Sequence, residues 1–287
     1  MLTLFTCPKA FTDPHIRQIQ RNAIQSWMRL DPRPEILLAG DDEGVKETAV
    51  EFGLRHVSSV ERNARGTPLV CSVFEKAQAA ATHALLAYVN TDIVLGPDFT
   101  AAVSRCQGLK AFLLIGRRWD MDVPGALDFR DPAWHDKLRR DLHDRGKQHG
   151  PAGLDYFVFR KGLWSDVPPF ALGRCAWDNW LVYRAAAGGA SLVDGSQAVT
   201  AVHQNHDYAH SGHASAEELW RSEEAGRNRI LAGGVTFDVL DCGYRLKGGR
   251  LHVARDRDAV LRRMERFHEY RPLLWNLLLS WKIRSFL

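Results

Sequence analysis

Residues 85–95, Leu-Leu-Ala-Tyr-Val-Asn-Thr-Asp-Ile-Val-Leu, constrain the fold more than any other stretch of the chain. Within it, the unbroken apolar run Leu85–Val89, ended by turn formers, reads as a strand covered on both faces, which belongs in a sheet sandwiched between helices. The residues before it alternate to match. Leu2 to Thr6 is a short apolar strand that stops at Pro8, and Asp13-Pro14 supplies an N-cap with a proline at the first helical position. Ile16, Ile19, Ala23, Ile24, Trp27 and Leu30 then recur at helical spacing. Ile36 to Ala39 is the next strand, followed by Gly40-Asp41-Asp42-Glu43 and a helix to about Phe52. His56-Val57 is a short strand, and the helix after Gly66-Thr67-Pro68 carries Leu69, Val73, Phe74, Ala77, Ala80 and Ala81. Strands separated by helices of this length predict parallel β-α-β units and a doubly wound sheet.

The later sequence is less regular. Residues 119–150 are charged, with one exposed helix carrying Trp134, Leu138 and Leu142 on its apolar side. Tyr156 to Phe159, Ser191 to Val193 and Ala198 to Val202 read as strands, and Cys175 to Ala187 as a helix. Beyond His213 come a charged helix around 216–225, a hairpin near 243–252 and a terminal helix, so residues 1–213 are expected to form one domain and 214–287 an extension. A net charge of +4 on 287 residues gives no reason to expect a nucleic-acid partner. Five scattered cysteines, none in a C-x-x-C pair, exclude a disulfide framework and a zinc ribbon. The N-terminus reads without a secretory signal and no apolar run reaches the roughly 18 residues of a membrane span, so the expectation is a cytoplasmic protein.

Ligands in doubly wound sheets sit outside the carboxyl ends of the strands. The polar residues there are Thr6, Asp41, Asp42, Asn90, Thr91 and Asp92. Asn90 and Asp92, two residues apart, suit a hard cation and a phosphate, but equally suit a plain turn. Val202-His203-Gln-Asn-His206-Asp-Tyr-Ala-His210, with His213 beyond, offers imidazoles to a metal, against a solvated loop as the bland alternative. Asp178, at a helix start between Trp177 and Asn179, is a general-base candidate whose pKa the helix dipole is expected to lower, or simply a first-turn acid. Asp41-Asp42-Glu43 suits a base or ribose, or an N-cap. Gly66-Thr67-Pro68 permits backbone approach to a phosphate but is no P-loop, and no G-x-G-x-x-G follows the first strand.

Taken in order, Asn90-Thr91-Asp92, the stretch Ala152-Gly153-Leu-Asp155-Tyr-Phe, Asp178 and a late histidine make the chain resemble the GT-A fold, family 2-like, nucleotide-sugar glycosyltransferases over about residues 1–213. The resemblance implies a Rossmann-like, mainly parallel sheet, to which the pattern beyond His213 adds a small helical and hairpin C-terminal extension. It implies a nucleoside-diphosphate sugar donor, Mn²⁺ or Mg²⁺, and a glycan or lipid-linked acceptor. Asp92 would be the main metal ligand, with Asn90 the altered first position of the family's D-x-D motif, and His203 or His206 the late metal-site histidine. Thr6 and Pro8 would lie under the nucleotide, Asp41 or Asp42 would contact its base, and Gly153 would belong to the glycine loop. Asp178 would be the base of an inverting transfer. The rival readings are a zinc hydrolase built on His203–His213 and a nucleotide-binding module without turnover. The apolar stretch 272–287, with Lys282 and Arg284, is either a helix packed on protein or a peripheral membrane contact.

Overall fold

The computed structural model describes residues 1–206 and 215–270. The first half follows the expected alternation: β1 (Leu2–Thr6), α1 (Pro14–Trp27), β2 (Glu35–Ala39), α2 (Val45–Phe52), β3 (Arg55–Val57), α3 (Val70–Ala80) and β4 (Leu85–Val89). A turn leads to β5 (Ile93–Leu95), α4 (Pro97–Cys106), β6 (Phe112–Ile115) and β7 (Trp119–Met121). Next come α5 (Trp134–Arg145), β8 (Lys147–Gln148), β9 (Tyr156–Arg160), α6 (Trp177–Ala187), β10 (Ser191–Asp194) and β11 (Ala201–Gln204). From residue 215 on, the elements are α7 (Ala216–Arg221), α8 (Glu223–Ala232), a 3-10 turn at Val239–Asp241, the hairpin β12 (Tyr244–Lys247) and β13 (Arg250–Val253), and α9 (Arg257–Tyr270).

A nine-stranded sheet in the order β13-β12-β10-β6-β9-β4-β1-β2-β3 forms the centre. It is mainly parallel: β4, β1, β2 and β3 run together, as do β6, β10 and β12. β9 runs antiparallel between β4 and β6, a direction that an apolar run cannot encode. Every residue of β4 is at most 6% exposed, and its side chains divide between two cores. Leu86 and Tyr88 face the core under α3 and α6, whereas Leu85, Ala87 and Val89 face the core under α1 and α4. That is the two-sided covering the unbroken run requires.

On the first face, Phe5, Phe74, Tyr88, Phe159 and Trp164 interlock, with Phe74 edge-on to Phe5 at 5.1 Å and stacked on Tyr88 at 5.3 Å. On the other, Asp13 caps α1 by accepting from Ile16 N at 2.8 Å, and Trp27 Nε1 donates to Ile93 O at 2.9 Å, pinning α1 to β5.

The segment 119–150 is more ordered than its charge predicts. β7 and β8 join β5 and β11 in a second sheet, ordered β5-β11-β7-β8. Strands of two or three residues carry too little periodicity to be read in sequence. β11 spans Ala201–Gln204, so the strand expected from Ala198 to Val202 starts three residues later and takes in His203 and Gln204. The charged helix expected over 216–225 is two helices, because the Ser222 hydroxyl starts a new one by accepting from Ala225 N at 3.3 Å. β12 pairs with β10, so the C-terminal hairpin continues the central sheet.

No helix among the described residues is long and apolar enough to cross a membrane. The stretch 272–287, His210 and His213 lie outside the described residues.

Gly116, just after β6, is tightly enclosed. A Cβ there would fall 2.0 Å from the buried Tyr156 hydroxyl and 3.0 Å from the Ser196 backbone nitrogen. Gly116→Ala is expected to destabilise the protein by about 1–3 kcal/mol, lowering Tm by roughly 3–10 °C. An unchanged melting curve would show that the β6–β10 edge yields more easily than this packing implies.

Candidate active site

The carboxyl ends of β1, β2 and β4 meet at one edge of the sheet. Asn90-Thr91-Asp92 is indeed a turn, with Ile93 N donating to Asn90 O at 3.1 Å, and it carries Asp92 forward from that edge. The buried Thr6 and Thr91 hydroxyls bond each other at 2.7 Å, fastening the end of β1 to the turn. Thr6 is therefore a floor beneath the site, and Pro8 beside it is buried too. Lys9 follows, both its backbone groups clamped by Gln20 at 2.7 and 3.0 Å.

β11 brings the histidines to the turn. It pairs antiparallel with β5, setting His203 opposite Ile93, the residue after Asp92. The fully buried Gln204 locks this arrangement, its side-chain amide donating to Asp92 O at 3.0 Å and to Ile19 O at 2.8 Å. Asp92, His203 and His206 then each present one ligand atom within 4.8 Å of the others. His206 Nε2 lies 3.2 Å and His203 Nε2 3.9 Å from Asp92 Oδ2. Lys9 Nζ stands 3.4 Å from His206 Nε2. The geometry thus brings both histidines to Asp92, where the sequence left the choice between them open.

Burial alone would raise the Asp92 carboxyl, but His206, His203 and Lys9 outweigh it and hold the group well below the usual carboxylate range. Burial also lowers the Lys9 ammonium, aided by Arg174 and opposed by Asp92. Asp92 Oδ1 is buried with no hydrogen-bond partner among the described residues. Such an orphan costs about 1–3 kcal/mol, which a bound cation would relieve. One carboxylate and two imidazoles fit a divalent transition metal better than Mg²⁺, which prefers oxygen.

Asn90 is engaged elsewhere. Its Oδ1 accepts from the Tyr88 hydroxyl at 2.9 Å, and its Nδ2 donates to Asp155 Oδ1. Asp155, just before β9, is buried and also bound by Arg118 at 2.9 Å. Gly153 lies against His149, where a Cβ would come within 2.4 Å of the ring, so its place here depends on having no side chain.

Asp178 occupies the first turn of α6. Trp177 packs on Tyr88 and Phe157 at 5.5 Å each, fixing the helix start against the core. The preceding Ala176 has φ +80°, a left-handed conformation that L residues other than glycine rarely adopt. Such local strain clusters at functional sites. Asp178 Oδ1 is buried and has no hydrogen-bond partner among the described residues. Burial, with Asp155 as a neighbouring negative charge, raises the Asp178 carboxyl to about 6 despite backbone N–H donors. This reverses the lowering expected from the helix dipole, because desolvation is the larger effect here.

The remaining candidates are dispersed. Asp42 pairs with Arg62, and Asp41 accepts from Ser59 N at 2.6 Å and lies 3.8 Å from His56. Together with Glu43, Gly44, Lys46, Glu47 and His56 they line an open cleft of about 460 Å³ beyond β2. Thr67 is tied to the α8 side through Asn63: its amide donates to Asn63 Oδ1 at 3.0 Å, and the Asn63 amide donates to Glu224 Oε1 at 2.6 Å. Glu224 is also held by Arg174 at 2.7 Å. Sequence reasoning missed Lys9, Arg118, Asp120 and Gln204. Asp120 touches His203 Nδ1 at 3.1 Å, yet nothing marks it within a charged stretch.

No family model matches the chain, and no curated protein matches it. Solved structures similar to it include the Staphylococcus aureus TarS fragment 1–349 in complex with UDP-GlcNAc, at 15% identity and TM-score 0.48, covering 82% of this chain and 71% of that one. Mycobacterium tuberculosis glucosyl-3-phosphoglycerate synthase, in complex with Mn²⁺, UDP and phosphoglyceric acid, aligns at 14% identity and TM-score 0.47 over 82% and 78% of the two chains. The Pyrobaculum calidifontis mannosyltransferase PcManGT, in complex with GDP-Man and Mn²⁺, aligns at 15% identity and TM-score 0.47 over 74% and 59%.

Proposed function

We propose that this chain is a nucleotide-sugar-dependent glycosyltransferase that inverts the anomeric centre and passes the sugar to a hydroxyl of a glycan or lipid-linked acceptor. One observation carries the reading: a cluster of one carboxylate and two imidazoles able to hold a cation and a carboxyl raised to about 6 share one edge of the sheet. Asp178 neighbours Asp155, Asp155 binds Asn90, and Asn90 leads into Asp92, which links the base to the cluster through a short relay of residues. The ordered motifs of the sequence support the same reading.

In this mechanism Asp178 accepts the acceptor hydroxyl proton as that oxygen attacks the anomeric carbon. The bond from that carbon to the diphosphate oxygen breaks, and its electron pair leaves with the nucleoside diphosphate. A single displacement of this kind inverts the centre. Asp92, His203 and His206 would hold a divalent cation, which would supply charge neutralisation for the departing diphosphate. Lys9 adds a positive charge beside the same cluster. Asp41 or Asp42 serves the nucleobase.

Thermal shift with UDP, GDP, CDP and TDP, each with Mn²⁺, Mg²⁺ or EDTA, tests the reading. One nucleotide is expected to raise Tm by roughly 5–10 °C at a hundredfold excess over its Kd, with Mn²⁺ and not with EDTA. No shift with any nucleotide, in folded protein, would overturn it. The two-imidazole donor set also suits a zinc hydrolase. Stoichiometric zinc in the purified protein, without a nucleotide response, would favour that reading instead.

A further inference from the structure

The second sheet does more than deliver His203. β7 lies parallel to β11 with Asp120 directly paired to His203, so the backbone register itself sets the carboxylate beside the ring. Asp120 Oδ1 lies 3.1 Å from His203 Nδ1, close enough for an ion pair although imperfectly aligned as a hydrogen bond. The same oxygen accepts from Arg118 Nε at 2.8 Å, and Oδ2 lies 2.7 Å from His149 Nδ1. Both oxygens are thus held in place. Asp120 is not one of the three residues whose ligand atoms converge within 4.8 Å.

We propose that Asp120 is the positioning residue of the cation site, fixing the ring of His203 so that Nε2 offers its lone pair towards Asp92. The proposal rests on the reading that Asp92, His203 and His206 hold a divalent cation. A neutral imidazole carries one N–H, and the partner of one nitrogen decides which nitrogen bears it. A carboxylate facing Nδ1 draws the proton there, leaves Nε2 unprotonated and makes it a stronger donor to a metal. Without the carboxylate, the ring is free to exchange tautomers and to turn, and each metal-binding event must first select the right one.

The test is Mn²⁺ alone, titrated into the full chain and followed by the loss of the free-ion electron paramagnetic resonance signal. Asp120→Asn keeps the size of the side chain and is expected to weaken Mn²⁺ binding about 10- to 100-fold. Burial would raise the Asp120 carboxyl, but His203, His149 and Arg118 outweigh it and hold it below its usual range, so the variant's Tm without metal is expected to fall at neutral pH. Affinity within about threefold of wild type, in a folded variant, overturns the proposal. A double-mutant cycle with His203→Gln separates this stability loss from the positioning role. Coupling through His203 predicts that Asp120→Asn has no further effect on Mn²⁺ affinity in that background, and an undiminished effect overturns the proposal. Wild-type protein that binds no Mn²⁺ overturns the cation reading together with it, whereas binding that is indifferent to Asp120 overturns the positioning role alone.

Discussion

Asp178→Asn is expected to abolish sugar transfer and to make the protein more stable. The substitution keeps the shape of the side chain and removes the proton acceptor, so turnover should fall by about 10²- to 10⁴-fold. Donor binding, measured by the nucleotide-induced thermal shift, should be retained. The stability gain follows from linkage. Folding moves this carboxyl from its usual 3.8 to about 6, so the folded state binds the proton more tightly than the unfolded one. The charged form is therefore a liability that is absent below pH 3.8, grows between 3.8 and 6, and is fully expressed above 6. At pH 7 the asparagine variant should be more stable by about 1–3 kcal/mol, and the gain should vanish as the pH falls towards 4. The same ionisation should shape the wild-type rate, which falls about tenfold per pH unit below pH 6 as the base is protonated. Near wild-type turnover of the variant would remove Asp178 from the mechanism. A rate flat through pH 5 would show that some other group takes the proton.

Particular residues mark how far the sequence alone reaches. β4 was legible because two-sided burial leaves an unbroken apolar run, and α1 because its apolar stripe and Asp13-Pro14 start are local signals. β9 was legible as a strand but not in its direction, since pairing partners are chosen by connections and not by composition. The histidines around 203 stood out as a cluster. Their convergence on Asp92 depended on a three-residue strand, β5, and on Gln204, whose bonds reach Ile19 and Asp92. Asp120 was invisible because its position opposite His203 exists only in the register of β7 and β11. Asp178 was found in its place with the wrong sign of pKa shift. A helix start announces a dipole in the sequence, whereas burial depends on Trp177 packing against residues far away in the chain.

Asp92→Asn should also silence the proposed sugar transfer, with the opposite effect on stability. Asp92 is the one carboxylate in the candidate cation cluster, and its Oδ1 has no protein partner among the described residues. Removing its charge should eliminate the Mn²⁺-dependent part of the nucleotide shift and lower turnover by about 10³-fold or more, since Lewis-acid stabilisation contributes several kcal/mol. Folding holds this carboxyl below its usual range through His206, His203 and Lys9, so the ionised group stabilises the native state at neutral pH. Its loss leaves those groups facing one another without their anion, and Tm without metal should fall. A variant that keeps its Mn²⁺ response would sink the cation site as drawn. Asn90→Asp supplies the contrast, because it restores a carboxylate at the first position of the motif. The Asn90 amide is held by Tyr88 and Asp155, so the new charge would confront Asp155. Mn²⁺ affinity is therefore expected to stay within a few-fold of wild type while stability drops. Asp92 and Asp178 thus separate by the sign of their stability effects: the surroundings of one carboxylate favour its charged form, whereas burial of the other raises it to about 6 and favours its protonated form.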